Sequence, residues 1–230
     1  MPRQIYAAIG LSTLILSACR SPAPRQPTFA AGASARPPAA AAVYRIDAAR
    51  SQLRVLAYRA GPLADVGHDH VIVNRALGGW VAVATPISAS SFFIHIPTAA
   101  FVVDAAAARR QEGPGFAAPL PAAAISATRR HMQSAALLDA YRHPSIDVRS
   151  LQIAGAAPRL TATVLIHIAG HAARLTLPFT VDLEGARLSA TAAFGLRQTA
   201  LGLAPYSILL GALRVRDELR VKLKIVAESH

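Results

Sequence analysis

Residues 211–227 read GALRVRDELRVKLKIVA and indicate the fold class of the whole chain. From position 213 to position 225 every second residue is apolar, with the single exception of Asp217, and the positions between them are charged. Because successive side chains of a strand point to opposite faces, this pattern predicts one strand, or two strands divided near Asp217, with one dry and one solvated face. Antiparallel sheets with one face in water show this alternation, whereas parallel sheets buried on both faces do not.

Two further segments, residues 160–168 and 173–181, alternate in the same way, and Gly170 lies between them. Two alternating runs joined by a short link that contains glycine predict a β-hairpin. The predicted strands exceed the usual ~5–6 residues. A long antiparallel sheet with one dry face closes on itself, because closure removes its exposed edges. We therefore predict an all-β fold, a single antiparallel β-barrel of roughly eight strands.

One helix is predicted near residues 126–141, where apolar residues fall close to helical spacing before Pro144 ends the run. Ser126 or Thr128 is the expected N-cap. The preceding residues 109–123 are rich in Gly and Pro and are predicted to form a long loop. The expected role of the helix is to close one end of the barrel.

The first residues form a different kind of segment. Residues 1–18 have a basic start and an apolar run that is too short for the ~20 residues of a membrane-spanning helix, which predicts a secretory signal peptide. Small residues precede Cys19 in a pattern that resembles the bacterial lipobox, so we expect Cys19 to be lipidated. The alternative is an ordinary signal peptide followed by an unrelated cysteine. Cys19 is the single cysteine of the chain, so no intrachain disulfide forms.

Residues 19–42 are predicted to be the lipidated cysteine and a disordered linker rich in Pro and Ala, and residues 43–230 to be one domain. The linker could reach roughly 70 Å at ~3.1 Å per residue. The predicted location is the cell envelope, with the domain facing the periplasm and held at a membrane through Cys19.

Basic residues outnumber acidic ones, with Lys+Arg 24 against Asp+Glu 12. The charges lie on alternating outer strand positions and not in one cluster with aromatic residues, so no nucleic-acid partner is predicted. An exported protein meets anionic lipid head groups, which attract basic surfaces.

Several motifs, in this order and spacing, resemble the YceI-like family. They are Tyr44-x-Ile46-Asp47 with Ser51, Leu137-Leu138-Asp139-Ala140-Tyr141 with Pro144, the hairpin over residues 160–181, Phe194-Gly195-Leu196, and Val215-x-Asp217-x-Leu219. Val66-Gly67-His68-Asp69-His70 is similar to one branch of the family. The resemblance implies an exported, lipocalin-like barrel that holds a polyisoprenoid or quinone-type lipid in an apolar lumen, for carriage or storage.

A barrel of about eight strands either fills with side chains or holds one small ligand. Residues on the dry faces are the candidates to line the lumen and bind the lipid: Leu53, Val55, Val164, Ile166, Leu175, Leu177, Val221 and Leu223. If the lumen were filled instead, the barrel would be a protein-interaction module.

His68 and His70 lie two residues apart, so both face one side of an extended chain. They are candidates for contact with the head of a bound lipid, or for a polar cluster with the helix near Arg129. They are also weak candidates for a metal site in a periplasmic metal-binding protein, but two histidines alone make a poor site, and no metal cofactor is predicted. No Gly-x-Ser-x-Gly elbow is present, so no catalytic residue and no enzymatic activity are predicted.

Overall fold

The computed structural model describes residues 42–229. The predicted signal peptide over residues 1–18, Cys19 and the predicted linker up to residue 41 lie outside the described residues. The strands are, in chain order, β1 (Ala42–Ile46), β2 (Gln52–Ala57), β3 (Arg59–Ala60), β4 (His70–Asn74), β5 (Gly78–Val83), β6 (Ser91–Pro97), β7 (Val102–Val103), β8 (Ser145–Ala156), β9 (Arg159–Ile168), β10 (His171–Glu184), β11 (Arg187–Arg197), β12 (Ser207–Ile208), β13 (Leu213–Val215) and β14 (Glu218–Glu228). The α-helices are α1 (Ala106–Arg110), α2 (Pro114–Ala117) and α3 (Ala122–Gln133), and short 3-10 helices cover Ala64–Val66, Ile87–Ala89, Thr98–Ala100, Thr199–Leu201 and Leu209–Gly211.

Eight of these strands form a closed antiparallel barrel in the order β1–β5–β6–β8–β9–β10–β11–β14. The ring closes where β14 returns to β1 through the pairs Arg45–Glu228 and Ile46–Ala227. The predicted antiparallel barrel of roughly eight strands is confirmed. The predicted hairpin is confirmed as well, because β9 and β10 pair along their length from His171–Ile168 to Thr180–Arg159.

β14 contacts a third strand in addition to its two neighbours in the ring. Its segment from Arg220 to Lys224 pairs with β2, and β4 and β7 continue the sheet outward from β2. The extension packs on α1 and α2 through a separate apolar cluster of Leu56, Val71, Val73, Ala108 and Phe116. The loop predicted over residues 109–123 therefore contains helical turns, which this second cluster stabilises by burying Phe116.

The alternating stretch that indicated the fold is divided where the sequence placed the break. β13 ends at Val215 and β14 begins at Glu218. Between them the Asp217 carboxylate accepts hydrogen bonds from the backbone N–H (2.9 Å) and the hydroxyl (2.6 Å) of Thr199. β13 joins a small separate sheet with β12 and β3. The charged positions of β14 are exposed, and its apolar positions face the core.

The helix near residues 126–141 has different bounds from those expected. α3 begins after Pro121, so neither Ser126 nor Thr128 caps it, and it ends at Gln133. A series of turns follows, in which Asp139 has a positive φ of 45°. Met132 and Leu138 are buried in the main core from these two segments, so helix and turns together close one end of the barrel.

The two ends of the barrel differ. The hairpin end consists of the loop over residues 84–90, the turn over residues 157–158 and the hairpin over residues 183–188. The helix end is covered by α3, the turns after it and residues 199–203, whose Leu201 and Leu203 are buried. Within residues 42–229, no helix has the length and apolar content that crossing a membrane requires.

Candidate functional site

A cavity of ≈ 580 Å³ occupies the inside of the barrel. Its wall comes from the inward faces of the ring strands other than β1, together with residues of β2 and of the loops at the hairpin end. Only three of the residues that line it have polar side chains, namely Ser90, Asp182 and Thr191. Ser90 Oγ already accepts a hydrogen bond from the backbone N–H of Ala84 at 3.0 Å. The cavity is therefore an apolar space of the size that protein pockets for small molecules have.

Seven of the eight residues expected in the lumen wall do line this cavity: Leu53, Val55, Val164, Ile166, Leu177, Val221 and Leu223. Leu175 is not among the lining residues, although it is half-buried and packs against the same core. Sequence reasoning missed aromatic residues of the wall, namely Phe92, Phe179 and Phe194. Phe179 and Phe194 lie on alternating strand positions that the same period-two rule predicts to face inward. Whether any of these residues binds a ligand stays a prediction.

The cavity reaches the hairpin end of the barrel. Ile87, Pro158 and Leu183 line it there, and Leu183 is 47% exposed. At the opposite end Met132, Leu138 and the residues packed around them fill the space. The first described residue, Ala42, pairs with Val83 at the hairpin end, so the described chain begins at the end of the barrel that the cavity reaches.

His68 and His70 lie outside the cavity wall. His68 is exposed, and the two imidazole rings have their centroids 6.5 Å apart. Among residues 42–229, no group of three or more His, Cys, Asp or Glu side chains has the arrangement that holds a metal ion. A role of these two histidines at a cavity-bound ligand gains no support from their position.

His70 instead belongs to a buried polar cluster beneath α1. Its Nδ1 lies 2.6 Å from Oδ2 of Asp104, and Thr128 Oγ1 of α3 lies 3.5 Å from its Nε2. Asp104 Oδ1 accepts hydrogen bonds from Nη1 of Arg109 at 2.7 Å and from the backbone N–H of Val71 at 2.9 Å. Of the polar cluster suggested between the histidines and the helix near Arg129, the structure shows the contact of His70 with Thr128 of α3. Its main partner is Asp104, which also binds Arg109, and no spacing in the sequence linked either residue to His70.

The charge state of Asp104 follows from these contacts. Burial alone raises the pKa of this carboxyl, but hydrogen bonds from His70 and the Val71 N–H, together with the positive charge of His70 and a hydrogen bond from Arg109, outweigh burial and hold the pKa below its ordinary value. Asp104 is therefore an ionised anchor that ties β4 to α1. Both carboxylate oxygens of Asp104 have protein partners, and Nη1 of Arg109 also donates to the carbonyl of Asp69 at 2.7 Å, which is typical of a structural cluster.

Ser51 shows the same structural character. Its side chain is fully buried, and its hydroxyl accepts a hydrogen bond from the backbone N–H of Val226 at 3.0 Å and donates one to the Val226 carbonyl at 3.2 Å. These bonds tie the start of β2 to the end of β14. The hydroxyl of Ser51 thus has a structural use that accounts for its burial.

Comparisons with known proteins agree with this architecture. The sequence profile of the YceI-like domain matches residues 44–227. A crystal structure of Burkholderia cenocepacia BcnA is similar with a TM-score of 0.57 and 18% identity, covering 79% of this chain and 99% of the other. A structure described as a polyisoprenoid binding domain from Saccharophagus degradans implicated in plant cell wall breakdown has a TM-score of 0.55 and 12% identity, covering 83% of this chain and 99% of the other. At these identities the likeness shows the fold. No curated protein matches the chain.

Proposed function

Because the chain belongs to the YceI-like domain family, we propose that it binds a long apolar ligand of the polyisoprenoid or quinone type in its lumen and carries or stores it without chemical change. The observation that carries this proposal is the cavity, which is lined by apolar side chains apart from Ser90, Asp182 and Thr191. A wall of this composition favours the binding of a hydrocarbon chain, because apolar surface is removed from water. It offers few hydrogen bonds to a polar molecule. The similar Saccharophagus domain, described as polyisoprenoid binding, supports the choice of ligand class.

The size of the cavity limits how much of a chain it holds. A water molecule takes ~30 Å³ in the liquid, and a methylene group has a similar volume, so the ≈ 580 Å³ of the cavity accept about twenty chain carbons. Each buried methylene contributes about 0.8 kcal/mol, so a full cavity gains on the order of 15 kcal/mol. Association costs of about 4–15 kcal/mol offset much of that gain. A chain of about four isoprene units fills the lumen, and longer chains extend beyond it.

Carriage without chemistry fits the placement of the polar groups. The buried ionisable cluster around Asp104 lies beneath α1, and none of its members lines the cavity. The lumen itself offers no pair of groups for acid-base or nucleophilic catalysis. We therefore assign no catalytic residue.

We further propose that the protein is exported and held at a membrane through a lipidated Cys19, facing the periplasm. The signal-like residues 1–18 and the position of Cys19 directly after them motivate this part of the proposal. The pairing of Ala42 with Val83 supports it, because the tether then joins the barrel at the end that the cavity reaches. An anchored barrel with this geometry meets the membrane that supplies its ligand.

The test combines extraction and binding. Organic extracts of the full-length protein purified from membranes are analysed by mass spectrometry, and the delipidated protein is incubated with tritiated geranylgeraniol, a C20 isoprenoid alcohol. We expect one polyisoprenoid or quinone-type lipid per barrel in the extract and saturable uptake of the probe. Heat-unfolded protein is the control for nonspecific partition. An extract without such a lipid, together with uptake no greater than that of the control, refutes the proposal.

A further inference from the structure

One wall of the barrel is incomplete. β10 and β11 pair only from Thr180–Thr191 to Glu184–Arg187, next to their hairpin. Each strand nevertheless continues toward the helix end and stays paired on its other side, β10 with β9 as far as His171 and β11 with β14 as far as Arg197. Residues 171–179 and 192–197 therefore face each other without a hydrogen-bonded ladder. We call this gap the window.

The sequence explains why the ladder ends there. Pro178 has no backbone N–H to donate, and it lies two residues from the last pair. Across the window β11 presents the small residues Ala192, Ala193 and Gly195, which leave space beside Pro178. The inward residues of the two strands that border the window, such as Leu177 of β10 and Leu196 of β11, are only half-buried, whereas the inward residues of β9 are buried. Solvent thus reaches the lumen wall at the window.

The window has definite limits. On the side of the hairpin end, the hydroxyl groups of Thr180 and Thr191 lie 2.7 Å apart and hold the two strands together. On the side of the helix end, residues 199–203 cover it, and a Cβ placed on Gly202 would lie 2.7 Å from Nδ1 of His171. The chain approaches β10 so closely at this point because Gly202 has no side chain and has a φ of +78°. The window is therefore an opening with fixed limits, set by the Thr180–Thr191 contact at one side and by residues 199–203 at the other.

A groove of ≈ 600 Å³ lies on the outer surface beside the window. It adjoins the cavity, since six residues line both spaces: Leu160, Pro178, Phe179, Thr191, Ala192 and Leu223. Pro178 and Thr191 are exposed on the outer face and still line the cavity. Only residues that line both spaces therefore separate the interior from the outer groove at the side of the barrel.

The groove differs from the cavity in chemistry. Its polar lining groups are Arg159, Lys222, Thr161, Thr180 and Thr191, and it contains no carboxylate. Lys222 already pairs with Glu112 at 2.6 Å. Arg159 is exposed and, within residues 42–229, its guanidinium has no hydrogen bond or ion pair. Two cations and several hydroxyl groups beside an apolar opening suit the anionic head of an amphiphile.

We propose that the window is the lateral portal through which the apolar chain enters and leaves the lumen, and that the groove, through Arg159, holds an anionic head group of the ligand outside the barrel. This inference rests on the proposed function and adds to it the route and the class of ligand, a single-chain amphiphile with a phosphate or carboxylate head. A lateral portal lets the chain move sideways into the lumen while the head stays hydrated throughout. The desolvation of a charge, which is costly, is thereby avoided.

The first experiment closes the portal. If the register of the last pairs is extended, Pro178 lies opposite Ala193 across the window. In a Pro178→Cys/Ala193→Cys variant of the full-length protein, a short bismaleimide cross-links the two new cysteines. The matched control is Thr163→Cys/Thr176→Cys, on the outer face of two strands that are fully paired, where the native hydroxyls lie 3.0 Å apart. Each protein is loaded with tritiated geranylgeranyl phosphate before cross-linking, and transfer of the probe to phosphatidylcholine vesicles is followed in time.

We expect cross-linking to slow the transfer at least tenfold in the window variant and to leave the control unchanged. Before cross-linking, the window variant should transfer the probe as fast as the wild-type protein does. Equal transfer rates before and after cross-linking of a variant that meets this condition overturn the portal. If the wild-type protein takes up neither geranylgeranyl phosphate nor geranylgeraniol, the proposed function fails, and this inference fails with it. The two failures are distinguishable, because a wrong portal leaves uptake intact.

The second experiment tests the head-group site. Arg159→Ala is expected to weaken binding of geranylgeranyl phosphate about tenfold, the loss of one charge-assisted hydrogen bond, and to leave geranylgeraniol binding unchanged. Arg75→Ala, which removes an exposed arginine that lines neither space, is the control for net charge. An Arg159→Ala variant that binds both probes as the wild-type protein does refutes the head-group site.

Discussion

The carboxylate of Asp104 lies 2.6 Å from Nδ1 of His70, and the contact joins two segments that are 34 residues apart in the chain. Arg109 completes the group, with its side chain only 6% exposed and that of Asp104 fully buried. A buried ion pair of this kind stabilises a fold mainly in the sense that removing one partner leaves the other without compensation. We therefore expect conservative substitutions in this cluster to lower the free energy of unfolding strongly.

Asp104→Asn is expected to lower the free energy of unfolding by about 3–5 kcal/mol at pH 7, because Arg109 stays buried without its counter-charge. The folded pKa of Asp104 is depressed, so its contribution is fully present above the ordinary Asp pKa of about 3.9 and is lost as the pH falls through the lower folded value. The difference between wild type and variant in urea unfolding should hence shrink as the pH falls below about 4. Asp65→Asn, at an exposed position, is the control. A difference that stays constant at low pH contradicts this account.

His70 and His68 are expected to respond differently to substitution by alanine. His70→Ala removes one partner of a buried carboxylate and should cost about 1–3 kcal/mol of stability. His68→Ala, at an exposed position, should change stability by no more than about 0.5 kcal/mol. Thermal unfolding of both variants, with and without added zinc, makes the comparison. Stoichiometric zinc in the native protein that is lost in either variant would show that the pair is a metal site after all.

Ile166→Trp is expected to fill the cavity and evict the ligand while the barrel stays folded. The residue lines the cavity, and the added ring occupies space that the lipid chain would use. A lumen without spare volume would respond differently, since overpacking costs about 1–3 kcal/mol. Extractable lipid and the melting temperature are measured together, with Leu151→Trp on the exposed face of β8 as the control. If the wild-type protein yields no lipid and Ile166→Trp lowers the melting temperature, the lumen is filled by side chains and holds no ligand.

Cys19→Ser tests the anchor. If Cys19 carries the lipid, the variant should leave the membrane fraction or remain as an unprocessed precursor. The effect should be large, because stable anchoring takes two membrane signals and a lipidated cysteine with two or more acyl chains supplies them. Fractionation and the mass of the mature protein are the measurements. Normal processing with unchanged membrane association excludes the lipoprotein.

Local patterns were enough to predict the strands and their faces. The alternation in residues 218–228 identifies β14 and orients Val221 and Leu223 toward the lumen, because successive side chains of any strand point to opposite faces. The break near Asp217 was readable for the same reason, since one charged residue interrupts the apolar series. Motifs distributed over the domain also sufficed for the family, which the profile match over residues 44–227 confirms.

Other features depend on contacts between distant segments. The bounds of α3 follow from Pro121 at its start and from the burial of Met132 and Leu138 against the barrel, where the sequence offered Ser126 and Thr128 as equally good caps. Leu175 obeys the same alternation as Leu177 but stands beside the window, outside the cavity wall. Periodicity assigns a face to a residue, and it does not say how deeply that face is covered.

The sequence by itself determined that residues 160–168, 173–181 and 218–228 form strands with one dry face, and therefore that a closed sheet encloses apolar side chains. Only the tertiary structure decided that the enclosed space is a cavity, that Asp104 binds both His70 and Arg109, and that β10 and β11 separate after Thr180 and Thr191. The physical reason is the range of the interactions. Side-chain direction is set by the backbone within two residues, whereas cavity volume, ion pairing and strand closure depend on how segments far apart in the chain come together.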